Sequence, residues 1–130
     1  MSQANLDLVA QVYRAFDEID FTAIERLFDP DIEITMTAQL PWGGKHVGHE
    51  GATTFFGTML SHIEAKSIPE RSFAAGDDVV VIGRGVGATR QGVAFDLPQV
   101  HVWHVRDARI AGFTTYLDTP GMLAALGEAH

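Results

Sequence analysis

The side chains best suited to chemistry lie in one stretch, LPQVHVWHVRDARIAGFTTYLD, residues 97–118. His101 can exchange a proton near neutral pH or, as a neutral imidazole, donate a hydrogen bond to an oxygen on which negative charge develops. Trp103 lies two residues from His101, and Asp118 ends the stretch. One hairpin would thus place a histidine, a tryptophan and an aspartate on a face that is expected to be apolar.

The stretch has the pattern of two antiparallel strands joined by an Arg-Asp-Ala-Arg turn. In a regular hairpin with that turn, His101 pairs with Thr114, and Asp118 lies on the same face of the sheet. At about 3.4 Å per residue, Asp118 would be roughly 13 Å along the strand from the partner of His101. The two side chains would therefore act on opposite ends of one substrate.

The same register predicts which side chains face a pocket. The register places Gln99, Trp103 and Tyr116 on that face, and we expect these three to bind a ligand together with Met36, Trp42 and Phe55 from other segments of the chain. Gly112, opposite Trp103, would leave room for the indole ring. Val100, Val102 and Phe113 would lie on the other face, where they would form an apolar surface that a second copy of the chain could cover. A homodimer packed through this outer face is expected.

Helical segments are needed to cover the pocket, and the first half of the chain supplies three. Apolar residues recur there at helical spacing. The stripes are Leu6, Val9, Tyr13 and Phe16, then Phe21, Ile24, Leu27 and Phe28, and finally Ala52, Phe55, Phe56, Met59, Leu60 and Ile63. Thr119 followed by Pro120 is typical of an N-cap and first turn, which predicts a short last helix.

Strands must form the rest of the pocket. DIEITMTA alternates apolar and polar residues after the second helix, and the next segment, QLPWGGKHVGHEG, is predicted to be turn-rich. Four strands follow the third helix, in AKSIPERSFAA, DDVVVIGRGVGAT, GVAFDLPQVHVWHV and RIAGFTTYL. The order predicts one α+β domain over residues 1–130, in which helices cover one face of a curved sheet.

The segment VVVIGRGVGA resembles the loose form of a dinucleotide-binding loop. Such a loop needs a following helix whose N-terminus holds the pyrophosphate, and TRQGVAFDLPQV has no helical stripe. The glycines are better explained as relief of crowding, or as bulges, in a strongly bent sheet. No cofactor is expected.

Two histidine pairs have the HxxH spacing that can chelate a metal on a helix, His46 with His49 and His101 with His104. A strand sends residues three apart to opposite faces, so His101 and His104 cannot share an ion. His46 and His49 lie in a glycine-rich segment without a clear third ligand. No metal is expected.

Composition narrows the classes of function. The formal net charge is −8 without a cluster of lysine and arginine, which makes nucleic acid a poor partner. The chain has no cysteine, which fits a reducing compartment and excludes disulfides. The first residues lack the pattern of a signal peptide, and no apolar run is long enough to span a membrane. A cytoplasmic protein with a small-molecule ligand is expected.

Three segments carry a resemblance to a known family: VYRAFDEIDFTAIERLFDPDIEI, PWGGKHVGHEGATTFF and VHVWHVRDARIAGFTTYLD. With the order of elements, they resemble the SnoaL-like polyketide cyclases and ketosteroid isomerases of the nuclear transport factor 2 (NTF2-like) superfamily. The resemblance covers nearly the full length. It implies a cone-shaped α+β fold with a closed, largely apolar pocket, and a scaffold that hosts isomerases, cyclases, dehydratases, hydrolases and non-catalytic binders.

The resemblance also implies roles for single residues. Tyr13 falls where ketosteroid isomerases have an oxyanion-hole tyrosine, and His101 falls where they have a protonated carboxylic acid. Their general-base aspartate falls near Met36, so that base is missing here. SnoaL-like cyclases are similar to this chain in a strand histidine and in an aspartate that closes the last strand, which would make Asp118 the base.

Two functions remain open from the sequence. The first is cofactor-free proton transfer on a small hydrophobic carbonyl compound, as in a cyclisation, an isomerisation or a dehydration, with Asp118 as base and His101 and Tyr13 as oxyanion donors. The second is a ligand-binding or dimerisation module that uses the same pocket without turnover. The absence of a base at Met36 favours the second, and polar residues in an apolar pocket favour the first.

Overall fold

The computed structural model describes residues 2–127, which form four helices and six strands. Their order is α1 (Ser2–Glu18), α2 (Phe21–Leu27), β1 (Phe28–Met36), β2 (Gly44–Val47), α3 (Gly48–His62), β3 (Ile63–Ala75), β4 (Asp78–Thr89), β5 (Ala94–Arg106), β6 (Arg109–Leu117) and α4 (Thr119–Ala125). The predicted α+β class is confirmed. In the described range no helix is both long and apolar enough to cross a membrane.

The strands form one curved, unclosed sheet in the order β2-β1-β6-β5-β4-β3. Most neighbours are antiparallel, but β1 runs parallel to β6, so the sheet is mixed. The short strand β2 lies in the segment that was expected to be turn-rich and pairs with the end of β1. Helices α1 and α3 pack against opposite ends of the sheet, α1 on β3 and β4 and α3 on β1 and β2.

The junction between α2 and β1 differs from the sequence prediction by one residue. Phe28 was expected on the stripe of the second helix, but α2 ends at Leu27 and Phe28 begins β1 with 2% of its surface exposed. Pro30 explains the change, because a proline disfavours helical conformation in the preceding residue and brings the chain into an extended form. Phe28 thereby joins the core below the helices.

Glycines allow β3 to fold closely over β4. A Cβ atom on Gly83 would lie 2.1 Å from the carbonyl oxygen of Ile68, and one on Gly87 would lie 2.0 Å from that of Glu64. The register between the strands also shifts between Pro69 and Arg71. The prediction that these glycines relieve crowding in a bent sheet is confirmed, and the bend gives the sheet its concave face.

A β-bulge changes the register of the β5–β6 hairpin. Val105 pairs with Ile110 as predicted, but His104 pairs with Gly112, so Ala111 is an extra residue in β6. Beyond the bulge every partner is shifted by one position, and His101 pairs with Thr115 instead of Thr114. Since side chains alternate along a strand, the shift exchanges the two faces of β6 from Gly112 onward.

Candidate functional site

A cavity of about 1030 Å³ lies between the concave face of the sheet and helices α1 to α3. Most of its lining is apolar, with aromatic side chains from α1, α3 and the sheet. Among the residues predicted to bind a ligand, the lining includes Met36, Trp42, Phe55 and Gln99. It also includes Tyr13 and His101, two of the three predicted catalytic residues.

Tyr13 and His101 are joined by a hydrogen bond. Helix α1 places the Tyr13 hydroxyl 2.7 Å from Nδ1 of His101 on β5, with the two rings nearly parallel. The indole Nε1 of Trp103, also on β5, donates to the same hydroxyl over 3.0 Å. Trp103 is held in turn by face-to-face stacking on Phe113, with ring centroids 3.9 Å apart.

These contacts favour one assignment of the protons. The Tyr13 oxygen accepts from Trp103, so its own proton is satisfied when it donates to Nδ1 of His101. The imidazole then carries its proton on Nε2. That atom has no hydrogen-bond partner among residues 2–127 and is not enclosed by protein atoms, so it faces the cavity. The site therefore presents an N–H donor to a ligand.

Burial keeps both members of the pair neutral. His101 is only 6% exposed, and desolvation lowers the pKa of its imidazole from 6.5 to about 4. Burial also raises the pKa of the Tyr13 phenol, and the hydrogen bond from Trp103 opposes this effect more weakly. At neutral pH the pair is a hydrogen-bond donor without charge and is poorly suited to act as a strong base.

Two further polar groups lie near His101 on the cavity wall. Thr115 faces it across the β5–β6 ladder, and Gln99 is two residues away on the same face of β5. The Gln99 amide lies over Gly85, where an added Cβ would be 2.8 Å from its Oε1. Within residues 2–127 neither the Gln99 amide nor the Thr115 hydroxyl has a hydrogen-bond partner, so both are available to a ligand.

The bulge at Ala111 overturns part of the predicted lining. Tyr116 was expected in the cavity, but it lies on the outer face of the sheet and is 59% exposed. Phe113, expected on the outer face, is buried beside His101. Trp103 has Phe113 as its partner instead of Gly112, is fully buried, and lies behind the cavity wall as a support for Tyr13.

Asp118 differs in position from its predicted role. Its carboxylate accepts a hydrogen bond from the backbone of Gly121 at 3.0 Å and caps the N-terminus of α4, a position that was expected for Thr119. The Asp118 side chain is exposed and does not line the cavity. It is thus on the wrong side of the wall to reach a ligand held by His101.

Asp17 is a carboxylate that the sequence reasoning missed. It follows Tyr13 by four residues on α1, so both side chains lie on one face of the helix, and both line the cavity. Glu25 and Glu64 are the other acidic residues of the lining, and like Asp17 they are exposed at the mouth. The four-residue spacing between Tyr13 and Asp17 is the signal that could have identified this residue.

The cavity opens to solvent, in contrast to the closed pocket that was expected. Three large apolar side chains of its lining are exposed at the opening: Ile19 by 68%, Phe21 by 63% and Leu60 by 40%. Elsewhere in the lining, the Nε1 atom of Trp42 is buried without a hydrogen-bond partner in the described part of the chain. A buried donor of this kind is rare and is satisfied when a ligand or water supplies an acceptor.

His46 and His49 have structural roles, and His101 and His104 point to opposite faces of β5. His46 contacts the carbonyl oxygens of Trp42 and Gly43, and His49 contacts that of Phe28. Across residues 2–127 no group of three or more histidine and acidic side chains is arranged to hold a metal ion.

The chain resembles known proteins both in sequence and in fold. Residues 9–113 match the family model of the SnoaL-like domain. No curated protein matches the chain. An NTF2-like protein of unknown function from Burkholderia pseudomallei is 28% identical, covers 97% of this chain and 98% of its own, and superposes with a TM-score of 0.90.

Two further solved structures share the fold at lower identity. TerC, co-crystallised with polyporic acid, is 23% identical with a TM-score of 0.89, covering 95% of this chain and 98% of its own. A protein with a ketosteroid isomerase-like fold from Catenulispora acidiphila, in complex with trimethylamine, is 20% identical with a TM-score of 0.78, covering 92% of both chains. With a family match over residues 9–113 and a cone-shaped sheet around a cavity, the chain belongs to the SnoaL-like domain family and has the NTF2-like fold.

Proposed function

We propose that the chain binds a small hydrophobic carbonyl compound and promotes cofactor-free proton transfer next to its carbonyl group. The observation that carries the proposal is the neutral Tyr13–His101 pair, which aims an N–H donor into an apolar cavity. A hydrogen bond donated from such a site stabilises the negative charge that develops on the carbonyl oxygen when an adjacent carbon loses a proton. Polyporic acid bound to the related fold of TerC supports a small-molecule role.

Each residue of the pair has a separate task. His101 donates from Nε2 to the ligand oxygen, and its Nδ1 accepts from Tyr13, which holds the ring in the tautomer that makes Nε2 a donor. Trp103 positions Tyr13 by its own hydrogen bond. The low pKa of His101 keeps the imidazole neutral at the pH where the chemistry occurs.

We assign the proton acceptor to Asp17. Its carboxylate lines the cavity one helical turn from Tyr13, whereas Asp118 caps α4 outside the cavity. In the proposed step the C–H bond next to the carbonyl breaks, the proton moves to the Asp17 carboxylate, and the electron pair forms an enolate whose oxygen accepts from His101. Return of the proton to another atom of the ligand completes an isomerisation. Attack of the enolate carbon on a second carbonyl forms a C–C bond, and transfer of the proton from Asp17 to the resulting alkoxide completes a cyclisation.

A second function, ligand binding without turnover, is favoured by one observation. In residues 2–127 the buried part of the cavity wall has no carboxylate, because Asp17, Glu25 and Glu64 are all exposed. A solvated carboxylate is a weaker base than a buried one. The two functions differ in whether bound ligand exchanges its protons, which a direct measurement can decide.

The test uses 2-tetralone, a bicyclic ketone with exchangeable protons next to its carbonyl. We expect the protein to accelerate exchange of these protons for deuterium, followed by NMR. Asp17→Asn should lower the exchange rate by about 100-fold, the usual contribution of a general base, with unchanged affinity. His101→Leu should weaken 2-tetralone binding by about 10-fold, the loss of one buried hydrogen bond.

Asp118→Asn is the matched control, because asparagine retains the N-cap of α4. It should exchange protons at the rate of the parent protein. Equal rates for Asp17→Asn and the parent would remove Asp17 as proton acceptor. Binding of 2-tetralone without any acceleration would establish the second function instead of the first.

The outer face of the sheet supports the homodimer expected from the sequence. Two cross-strand rows of mostly apolar side chains lie there without a covering layer in the described residues: Val80, Val102 and Thr114, then Ile82, Val100 and Tyr116. Phe73 on β3 extends the first row. An apolar surface of this kind on a small protein is typical of an interface between subunits.

A charge placed in the centre of this face should separate the subunits. We expect the parent protein to be a dimer by light scattering and Val102→Arg to be a monomer with an unchanged fold, because an arginine facing its symmetry mate would be desolvated and repelled. Val93→Arg alters another exposed valine, in the turn before β5, and should remain dimeric. A monomeric parent protein would contradict the dimer.

A further inference from the structure

The corner between α1 and α2 contains an unusual backbone conformation. Ile19 has a φ of +52°, in the left-handed region that a β-branched residue rarely adopts. The corner closes with hydrogen bonds from the Ile19 amide to the carbonyl of Phe16 and from the Asp20 amide to that of Ala15. This is the helix-ending motif in which glycine is the usual residue at the left-handed position. Isoleucine at this position destabilises the fold relative to glycine.

The folded chain buries only a minor part of the Ile19 side chain in return. It is 68% exposed, and Phe21, on the other side of Asp20, is 63% exposed. Both side chains nevertheless line the mouth of the cavity that contains His101. Two large apolar groups on a strained corner, in contact with both water and the cavity, indicate a role outside the stability of the fold.

The position of the corner sets the length that a ligand bound to His101 must have in order to reach Ile19. Tyr13, which holds His101, is six residues before Ile19, the residue that follows the end of α1, and six residues of helix rise by about 9 Å along its axis. A ligand whose oxygen accepts from His101 must therefore extend for about this distance along the cavity before it reaches Ile19. A short ligand would leave the corner exposed, and a longer one would cover it.

The charges near the corner disfavour an anionic surface as its partner. Asp17, Asp20 and Glu25 lie within four residues of Ile19 or Phe21 along the chain, and the chain as a whole has a net charge of −8. Negatively charged lipid headgroups would be repelled. The cavity itself is continuous with both side chains, so the occupant that reaches them most directly is the ligand.

We propose that Ile19 and Phe21 form an apolar lip that packs on the outer end of a bound ligand and selects elongated hydrophobic molecules with an oxygen at the inner end. This inference rests on the proposed function, because it takes His101 as the site of the ligand oxygen. The lip determines specificity by burying its own exposed surface together with the far end of a long ligand. It contributes nothing to the binding of a ligand that ends before the mouth.

Two probes of the same chemistry separate these cases: 2-tetralone and its longer derivative 6-phenyl-2-tetralone. Ile19→Gly should raise the Tm by about 3 °C, because it relieves the left-handed strain. The same variant should weaken binding of the long probe by about 10-fold, the loss of one apolar side-chain contact, and leave 2-tetralone binding unchanged. Phe21→Ala should show the same difference between the probes.

Ala108→Gly is the matched control. Ala108 also has a positive φ, +61°, but lies in the β5–β6 turn outside the cavity lining. The Ala108→Gly substitution should raise the Tm without changing the affinity for either probe. A gain in stability together with a loss of affinity at Ile19, and a gain in stability alone at Ala108, would establish the lip.

Other outcomes overturn the inference in distinguishable ways. If both probes bind the parent protein and both are weakened equally in Ile19→Gly, the lip does not select for length, while the proposed function stands. If Ile19→Gly converts a dimer to a monomer, the corner is a contact between copies and the lip is refuted. If the parent protein binds neither probe, the proposed function fails and the lip fails with it.

Discussion

Gly83→Ala is expected to destabilise the fold by more than about 4 kcal/mol, because its new Cβ would overlap a backbone atom that cannot move independently. The Cβ would lie 2.1 Å from the carbonyl oxygen of Ile68 and 3.0 Å from the Cα of Pro69. To accommodate it, β3 would have to separate from β4 where the sheet bends. Urea unfolding followed by circular dichroism would measure the loss, and a variant without a folded baseline would fulfil the expectation.

Gly85→Ala is the matched control on the same strand. Its Cβ would meet the end of the Gln99 side chain, 2.8 Å from Oε1, which can rotate away. We expect a cost below about 1 kcal/mol in stability, with the Gln99 amide displaced within the cavity. Equal stability of the Gly83 and Gly85 variants would show that β3 does not depend on the absence of a side chain at Gly83.

Acidification is expected to destabilise the protein by about 3 kcal/mol through His101 alone. The pKa of this imidazole falls from 6.5 in the unfolded chain to about 4 in the fold, because burial disfavours the charged form. Between these values the unfolded chain binds the proton and the folded chain does not, so the free energy of unfolding decreases as the pH falls. This loss is absent above pH 6.5 and complete below about pH 4.

The measurement compares the parent protein with His101→Gln, whose side chain does not titrate. Other acidic groups and histidines titrate in both proteins, so the difference between the two pH profiles isolates His101. We expect the parent profile to fall more steeply below pH 6.5 and the two to run parallel above it. Parallel profiles throughout would mean that His101 is solvated and charged like an ordinary histidine, and the donor role proposed for it would be lost.

Local patterns were sufficient to predict most of the elements. The apolar stripe from Leu6 to Phe16 and the alternation in DIEITMTA each depend on one helix or strand, and both elements are present. Strand β2 was missed because a strand of four residues in GGKHVG has too few side chains to show a period. Its existence depends on pairing with β1, which is a tertiary interaction.

The sequence could predict a site residue only where its position did not depend on the register between β5 and β6. His101 and Gln99 reach the cavity because both lie on β5, which has no extra residue, so alternation alone assigns them to one face. Phe113 and Tyr116 follow Ala111, and nothing in RIAGFTTYL distinguishes a bulged strand from a regular one. The hydrogen bond between Tyr13 and His101 requires α1 to lie across β5, which no local pattern specifies.

The position of Asp118 could not be predicted from the local sequence either. Aspartate and threonine are both good N-caps, so the pair Asp118–Thr119 allows a helix to begin after either residue. The structure begins α4 after Asp118, which commits the carboxylate to the amide of Gly121. No neighbouring residue competes with Asp17 for its role. The role proposed for Asp17 nevertheless depends on Tyr13 pointing into the cavity.

The bulge at Ala111 makes the chemistry of the cavity depend on how β6 pairs with β5 as well as on which residues the strand contains. If Ala111 took the place opposite His104 in a regular ladder, Thr114 and Tyr116 would turn inward in place of Phe113 and Thr115. One change of pairing would thus replace several lining residues at once, a step that would otherwise take a series of separate substitutions. For a lineage that diversifies small-molecule sites on one scaffold, forming or losing this bulge is therefore a short path between distinct pockets.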